Sequence, residues 1–127
     1  YDLLIEALAP LKDLDWRLHI VGAQDRAPSC VQALRAQIAE AGLDERVILV
    51  GGASDDELGA LYHHTDLFVS SSRYEGYGMV LTEALARGLP MMMKVIVNSR
   101  PRRWRRIFLK TARRRYPHFW LACSTSR

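Results

Sequence analysis

The strongest constraint on the fold of this chain is an alternation, over its first 90 residues, of short apolar runs with amphipathic segments. The apolar runs are nearly continuous, which is typical of parallel strands covered on both faces. They lie at residues 16–22, 47–50 and 66–70, and Pro90 leads into a fourth at 91–97. Strands that alternate with helices through short loops predict an α/β fold with a doubly wound, Rossmann-like parallel sheet. Ligands of such sheets bind in loops beyond the carboxyl ends of the strands.

The segments between the apolar runs carry helix signals. Residues 2–12 and 29–41 repeat apolar side chains at helical spacing, and Gly42 stands where a glycine commonly ends a helix. Ser54 and Glu57 have the spacing of a capping box, which predicts the start of a further helix.

A glycine-rich turn between two acidic residues forms the most distinctive motif, YEGYGMVLTEALARG. Glu75 stands just before the turn Gly76-Tyr77-Gly78, and Glu83 follows inside the next predicted helix. Glycines permit positive φ angles and close approach of the backbone to a ligand. The motif therefore places two carboxylates on either side of a turn that suits a bound anion.

The helix that follows this turn is predicted over residues 79–87, with Gly88 as its end. The N–H groups of Met79, Val80 and Leu81 have no partner within a helix, and the helix dipole favours negative charge beside them. The turn and the helix start together predict a phosphate site.

Charge divides the chain into two unlike parts. The first 90 residues hold 14 acidic and 7 basic residues, whereas the last 37 hold 11 basic residues and no acidic one, and the two parts together give the net charge of +4. Nine of the basic residues lie in 100–115, interleaved with aromatic and aliphatic side chains. Such an abrupt change inside a fold unit favours a reading-frame shift or truncation near Pro90.

Three stretches resemble, in order and spacing, the donor-binding, C-terminal Rossmann domain of group 1 (family 4 type) retaining glycosyltransferases with the GT-B fold: WRLHIVG, GLDERVILVGGASDDELGALYHHTDLFVSSS and YEGYGMVLTEALARGLP. The most specific part is Glu75, seven residues, then Glu83. The likeness covers residues 1–90, an incomplete GT-B C-terminal domain. Residues 91–127 are expected to form a basic tail outside the family, with one strand followed by irregular or helical structure.

The resemblance implies a role for each motif residue. Glu83 would hydrogen-bond the ribose hydroxyls of a nucleotide-sugar, and Glu75, the catalytic candidate, would hold hydroxyls of the donor sugar near the reacting carbon. The backbone from Tyr77 to Val80 would receive the diphosphate, since amide dipoles stabilise a leaving anion. The implied donor-binding set is Glu75, Gly76, Tyr77, Gly78, Met79, Val80, Glu83, Gly22 and Gly51, the last two opening space for the nucleoside.

The resemblance also implies a UDP- or GDP-sugar donor, transfer of a hexose with retention, no metal ion or other cofactor, and a cytoplasmic location. The composition of the basic tail, apart from the resemblance, is compatible with contact with polyanions or with the inner face of the membrane. The Arg and Lys that clamp the diphosphate in this family, and its N-terminal acceptor domain, have no counterpart in these 127 residues. We therefore expect a fragment that alone transfers no sugar.

Other interpretations stay open from the sequence. The chain could be a non-catalytic remnant whose basic tail binds nucleic acid or an anionic membrane. The paired acids could serve a glycosidase, or Glu83 could be an ordinary solvated helix residue. Gly76-Tyr77-Gly78 begins like a dinucleotide fingerprint, but Leu81 stands at the third glycine position.

Metal and redox sites are not predicted. The acids of the capping box suit a helix start, and the adjacent His63 and His64 do not share a helix face. Cys30 and Cys123 match no metal or redox spacing, so we expect two reduced thiols.

Overall fold

Five parallel strands form the central sheet of the chain in a computed structural model, which describes residues 1–25, 27–70, 79–93 and 118–122. Helices alternate with the first four strands in the order that the sequence predicts. The elements are α1 (Asp2–Leu8) with a 3₁₀ turn (Ala9–Leu11), β1 (Arg17–Val21), α2 (Pro28–Glu40), β2 (Val47–Gly51), α3 (Asp55–His63), β3 (Leu67–Ser70), α4 (Met79–Ala86), β4 (Met91–Met93) and β5 (His118–Ala122).

The strands lie in the order β2-β1-β5-β3-β4, and every neighbouring pair is parallel. This corresponds to the Rossmann order 3-2-1-4-5, with the last strand of the chain in the central position. The sequence analysis assigns no strand beyond residue 97, so β5 is an addition. Its apolar run follows a long basic stretch without the strand and helix alternation that marks the other strands.

Buried side chains form two clusters on opposite faces of the sheet. The first core joins α1 and α2 to one face, and the second core joins α3 and α4 to the other. Helices on both faces confirm the predicted α/β fold with a doubly wound, Rossmann-like sheet. The first core contains Leu4, Ile5, Leu8, Leu11, Trp16, Leu18, Ile20, Leu34, Ile38, Leu43, Val47, Leu67 and Val69. The second contains Val21, Tyr62, Phe68 and Ala84.

The entry into β1 is fastened by a buried tryptophan. The indole Nε1 of Trp16 donates a hydrogen bond to the carbonyl of Leu11 at 2.8 Å. The guanidinium of Arg46 lies over the Trp16 ring, 5.5 Å from its centroid, and donates to the carbonyls of Lys12, Leu14 and Trp16. These carbonyls follow α1, and Arg46 directly precedes β2. The hydrogen bonds therefore fix the chain after α1 against the start of β2.

The predicted helix ends are confirmed. Ser54 accepts a hydrogen bond from the main-chain N–H of Glu57, whose side chain accepts from the main-chain N–H of Ser54, as a capping box requires. Gly42 and Gly88 follow α2 and α4 with φ of 60° and 71°, which glycine adopts without strain. The fourth strand is present at Met91–Met93, and the rest of its predicted range, 94–97, lies outside the described residues.

The division of the chain at residue 90 stays a prediction, because it rests on sequence character. Strands β4 and β5 both belong to the central sheet. The basic stretch at 100–115 and Cys123 lie outside the described residues, whereas Cys30 is a free, exposed thiol.

Candidate functional site

The carboxyl ends of β1 and β2 meet at one edge of the sheet. A bulge shifts the register between them, so that Ile20 pairs with Leu49 but Val21 pairs with Gly51. The N–H of Gly22 then donates to the carbonyl of Gly51 at 2.8 Å, and Gly51 has a φ of 86°. Bulges commonly redirect a strand end beside a binding site, and the positive φ favours glycine. The structure thus brings together the two glycines that were assigned to the nucleoside.

A cavity of about 110 Å³ opens beside Gly22, between the strand ends and α2. Its lining is mainly apolar and includes Ile20, Leu34 and Leu49. Gln24 also lines the cavity, where its Nε2 donates to the carbonyl of Leu49 at 3.3 Å and its Oε1 accepts from Arg35 at 3.1 Å. These bonds fasten the loop after β1 to β2 and α2, so the cavity has a fixed polar rim.

The carboxylate of Glu83 lies on α4 and meets a tyrosine from α3. Glu83 is half-buried, and its Oε2 accepts a hydrogen bond from the hydroxyl of Tyr62 at 3.2 Å. The same hydroxyl lies 3.4 Å from the carbonyl of Val80. Tyr62 belongs to the second core and is only 2% exposed. The position of Glu83 is therefore tied to the packing of two helices.

An arginine packs on the outer side of this pair. The guanidinium carbon of Arg87 lies 4.5 Å from the centroid of the Tyr62 ring, and its Nη1 donates to the main-chain oxygen of Glu83 at 3.4 Å. Burial and the nearby negative charge of Glu83 raise the pKa of the Tyr62 hydroxyl well above its ordinary value, against the opposing effect of Arg87. The hydroxyl therefore stays protonated and donates to the carboxylate.

The structure describes only part of the predicted donor site. Glu75, Gly76, Tyr77 and Gly78 lie outside the described residues. The first turn of α4 begins at Met79 as predicted, and its backbone includes Val80. The roles assigned to these residues stay predictions.

Sequence reasoning missed the contact of Tyr62 with Glu83, because it did not single out Tyr62. A signal was available: a tyrosine at a buried helical position needs a partner for its hydroxyl. The identity of that partner depends on how α3 and α4 pack, which spacing along the chain does not give.

The adjacent histidines of α3 and the acidic and thiol groups bear on the question of a metal site. His63 and His64 are exposed at the end of α3, with ring centroids 5.3 Å apart. Among the described residues, no group of three or more His, Cys, Asp or Glu side chains is placed to hold a metal ion. Within the same ranges, no helix combines the length and the apolar character that a membrane span requires.

Comparison with known proteins decides the family. The family model described as "Glycosyl transferases group 1" matches residues 1–99, which is more than half of the chain. The chain belongs to the group 1 glycosyl transferases. This match begins at α1 and includes the motif that carries Glu83.

Relatives within this family include several bacterial glycosyl transferases. Mannosylfructose-phosphate synthase of Agrobacterium fabrum is 35% identical over 101 residues, covering 75% of this chain and 22% of the relative. GDP-mannose:cellobiosyl-diphosphopolyprenol alpha-mannosyltransferase of Xanthomonas oryzae pv. oryzae is 41% identical over 92 residues, covering 68% of this chain and 23% of the relative. D-inositol 3-phosphate glycosyltransferase of Xylanimonas cellulosilytica is 28% identical over 95 residues, covering 75% of this chain and 22% of the relative. The chain thus spans less than a quarter of these relatives, and no solved structure matches it.

Proposed function

We propose that this group 1 glycosyl transferase chain is the donor-binding part of a retaining hexosyltransferase of the GT-B type, and that it corresponds to the C-terminal domain of such an enzyme. The observation that carries the proposal is the placement of Glu83. Its carboxylate lies one turn beyond the start of α4, directly after the glycine-rich turn, and is held by Tyr62. A carboxylate beside a helix start suits a ligand that combines a phosphate with hydroxyl donors.

The nucleoside would lie at the carboxyl edge, against the cavity that Gly22 lines and close to Gly51, which is bonded to Gly22. The cavity offers apolar walls with the amide of Gln24 at its rim. A volume of about 110 Å³ suits part of a flat ring rather than a whole nucleotide-sugar. Ligand pockets combine apolar walls with few polar groups in this way.

The diphosphate would be bound by the backbone from Tyr77 to Val80 together with Gly76 and Gly78, with Glu75 and Glu83 on the sugar and ribose hydroxyls. Negative charge develops on the diphosphate as the glycosidic bond breaks, and fixed N–H dipoles stabilise that charge more in the transition state than in the ground state. Main-chain N–H groups would thus stabilise the charge of the diphosphate without a bound cation. This supports the proposal of transfer without a metal ion. Among the relatives, the printed name of the Xanthomonas enzyme specifies GDP-mannose. For this chain we propose a UDP- or GDP-sugar.

Donor binding without transfer is the expected behaviour of the isolated chain. Sugar transfer requires an acceptor site as well as a donor site, and the cavity and the carboxylate of Glu83 are both assigned to the donor in this proposal. We propose that the acceptor site belongs to an N-terminal domain of the type found in GT-B enzymes, and that the enzyme works in the cytoplasm.

Calorimetric titration of the folded chain with GDP, UDP, GDP-mannose and UDP-glucose tests the donor site. We expect binding of at least one of them, unaffected by EDTA, and a Kd at least about tenfold higher in Glu83→Ala, because two hydrogen bonds to hydroxyls are lost. Glu40→Ala, at the exposed end of α2, is the matched control and should leave the Kd unchanged. A folded chain that binds none of the four would contradict the proposal, and turnover of a nucleotide-sugar by the purified chain would contradict its inactivity.

A second function is favoured by the charge division of the chain. Nine basic residues at 100–115, with no acidic residue after Glu83, give this stretch the composition of a polyanion-binding segment. We propose contact with anionic lipid at the inner membrane face. Sedimentation with vesicles of phosphatidylserine and phosphatidylcholine should be strong at low salt and weak at high salt, and absent with phosphatidylcholine alone. Binding to single-stranded DNA but not to vesicles would instead favour nucleic acid.

A further inference from the structure

The hydroxyl of Tyr62 is the polar end of an otherwise buried side chain. Its ring packs in the second core with Phe68 and Ala84, and the whole residue is 2% exposed. The side chain extends from α3 toward α4, where its hydroxyl lies 3.2 Å from the Oε2 of Glu83 and 3.4 Å from the carbonyl of Val80. A rigid core residue therefore reaches a carboxylate that the proposed function assigns to the ribose.

The carboxylate is the stronger of these two acceptors. A hydroxyl has one hydrogen to donate, and a hydrogen bond to an ionised group is shorter and stronger than one to a neutral carbonyl. The shorter of the two distances is also the one to the Oε2 of Glu83. Since burial and the charge of Glu83 raise the pKa of Tyr62, the hydroxyl remains a donor throughout the neutral pH range.

This hydrogen bond restricts a side chain that would otherwise be flexible. A glutamate on a helix surface has several rotatable bonds, and ordering them on ligand binding costs conformational entropy. A carboxylate has about four lone-pair sites, so a bond to Oε2 leaves acceptor capacity for two neighbouring hydroxyls. Holding the carboxylate before the ligand arrives removes part of the entropic cost of binding.

Arg87 covers the same tyrosine from the solvent side. Its guanidinium lies over the Tyr62 ring at 4.5 Å, and its Nη1 bonds the main-chain oxygen of Glu83. A cation over an aromatic face is attracted to it, so the arginine adds to the packing that fixes the ring. The main-chain bond keeps this guanidinium beside the backbone of α4.

We infer that Tyr62 is a positioning residue for nucleotide binding, which orients the Glu83 carboxylate toward the two ribose hydroxyls of a nucleoside diphosphate. The inference rests on the proposed function, since it requires Glu83 to contact the ribose. It adds a specific consequence: removing the Tyr62 hydroxyl should weaken recognition of the ribose and leave recognition of the diphosphate unchanged.

The test compares probes that differ in the ribose. The Kd values of GDP, its 2′,3′-dideoxy form and inorganic pyrophosphate are measured by calorimetry for the full chain and for Tyr62→Phe. The variant should raise the Kd of GDP about fivefold, which is the effect of roughly one hydrogen bond, and should leave the dideoxy and pyrophosphate values within twofold. If GDP does not bind, UDP and its dideoxy form take its place.

A matched control separates positioning from a general loss of stability. The hydroxyl of Thr65 donates to the carbonyl of Leu61 at 2.6 Å, at the end of the same helix but away from Glu83. Thr65→Val should lower thermal stability as Tyr62→Phe does, without changing the Kd of GDP. A purely structural role for Tyr62 would make both variants weaken every probe equally, and that result would overturn the inference.

A double variant distinguishes failure of the inference from failure of the proposed function. In a Glu83→Ala background, Tyr62→Phe should have no further effect on GDP, because the residue acts through the carboxylate. If Glu83→Ala leaves GDP binding unchanged, the proposed ribose contact is wrong and the inference falls with it. If Glu83→Ala weakens binding but Tyr62→Phe does not, only the inference is wrong.

A second readout does not depend on the folding of the phenylalanine variant. In the chain labelled with 3-fluorotyrosine, the resonance that changes in Glu83→Ala reports on Tyr62. It should shift when GDP binds and should not shift with pyrophosphate. An unchanged resonance on saturation with GDP would overturn the inference.

Discussion

Within the described residues, the two faces of the sheet differ in how much they bury and in what they carry. The first core there unites 13 buried side chains from α1, α2, three strands and the segments that connect them, whereas the second unites four. Yet the carboxylate with the most specific assignment, Glu83, and the tyrosine that holds it belong to the side of the second core. The larger cluster supplies apolar burial, and the smaller one places a polar group.

This difference follows a general physical logic. A large apolar cluster mainly provides stability, whereas a polar group at a helix junction needs only enough packing to fix its orientation. Elements that bind ligands commonly belong to the less stable parts of a fold. Ile20 and Leu34 of the first core also line the cavity proposed for the nucleoside. We therefore expect changes in the first core away from that cavity to affect stability, and changes near Tyr62 to affect binding.

The largest loss of stability is expected from Trp16→Ala. The side chain is 1% exposed, packs in the first core, and loses both its hydrogen bond to Leu11 and its contact with Arg46. We expect the free energy of unfolding to fall by about 3–5 kcal/mol, measured by urea denaturation followed by circular dichroism. Trp16→Phe, which keeps most of the ring packing, is the control and should cost clearly less. A drop in nucleotide affinity of the folded fraction would contradict the separation of stability from binding.

A somewhat smaller loss is expected from Trp120→Pro in β5, the strand that joins the two halves of the sheet. Residue 120 pairs with His19 on one side and with Phe68 on the other. Proline has no N–H to donate to the ladder, so we expect a loss of about 3 kcal/mol. Hydrogen exchange should then increase more in β3 and β4 than in β1 and β2. Strands β1 and β2 still pair with each other and pack with α1 and α2, whereas the first core reaches β3 only through Leu67 and Val69.

The control for this strand is a proline placed at Ser126, beyond β5, which should leave hydrogen exchange unchanged in both halves. If hydrogen exchange in the other four strands were the same in Trp120→Pro as in the wild type, β5 would not join the halves. Exchange that rises equally in both halves would show that the two cores unfold as one unit, and the contrast between them would lose its meaning.

Local signals explain why much of the fold could be predicted from the sequence. The capping box at Ser54 and the glycines at 42 and 88 act within a few residues, so their effects can be read along the chain. The place of β5 could not be predicted in this way. Its position between β1 and β3 is decided by pairing with strands about 50 to 100 residues earlier in the chain.

The same limit applies to the candidate site. The helix that carries Glu83 and the strand ends at Gly22 and Gly51 followed from periodicity and glycine placement. The bond between those glycines depends on a register shift, and the bond from Tyr62 to Glu83 depends on helix packing. Sequence reasoning therefore placed Glu83, Gly22 and Gly51 on their elements but could not give the contacts that orient them.

The smallest expected effect concerns the start of α3, the helix that carries Tyr62. Ser54→Ala removes the hydroxyl that accepts from the N–H of Glu57, and we expect a loss of about 1 kcal/mol at pH 7. Hydrogen bonds from the backbone and hydroxyl of Ser54 lower the pKa of the Glu57 carboxyl below 4.5. Because the pKa of Glu57 is lower in the folded state than in the unfolded state, the ionised carboxylate stabilises the fold at pH values above 4.5. This contribution is lost as the pH falls through the pKa of the folded state.

The difference between wild type and Ser54→Ala should therefore shrink as the pH falls below 4.5, because protonated Glu57 no longer gains from the charged hydrogen bond of the Ser54 hydroxyl. Urea denaturation at neutral and acid pH measures this change. Ser29→Ala, in the exposed first turn of α2, is the control and should be nearly neutral at both pH values. A pH-independent difference would show that the cap acts only through the neutral bond to the backbone. A more than twofold fall in GDP affinity in Ser54→Ala would show that the cap, as well as the second core, holds α3 in the position that Tyr62 requires. Binding would then depend on the side of α3 even more than the burial of Tyr62 indicates.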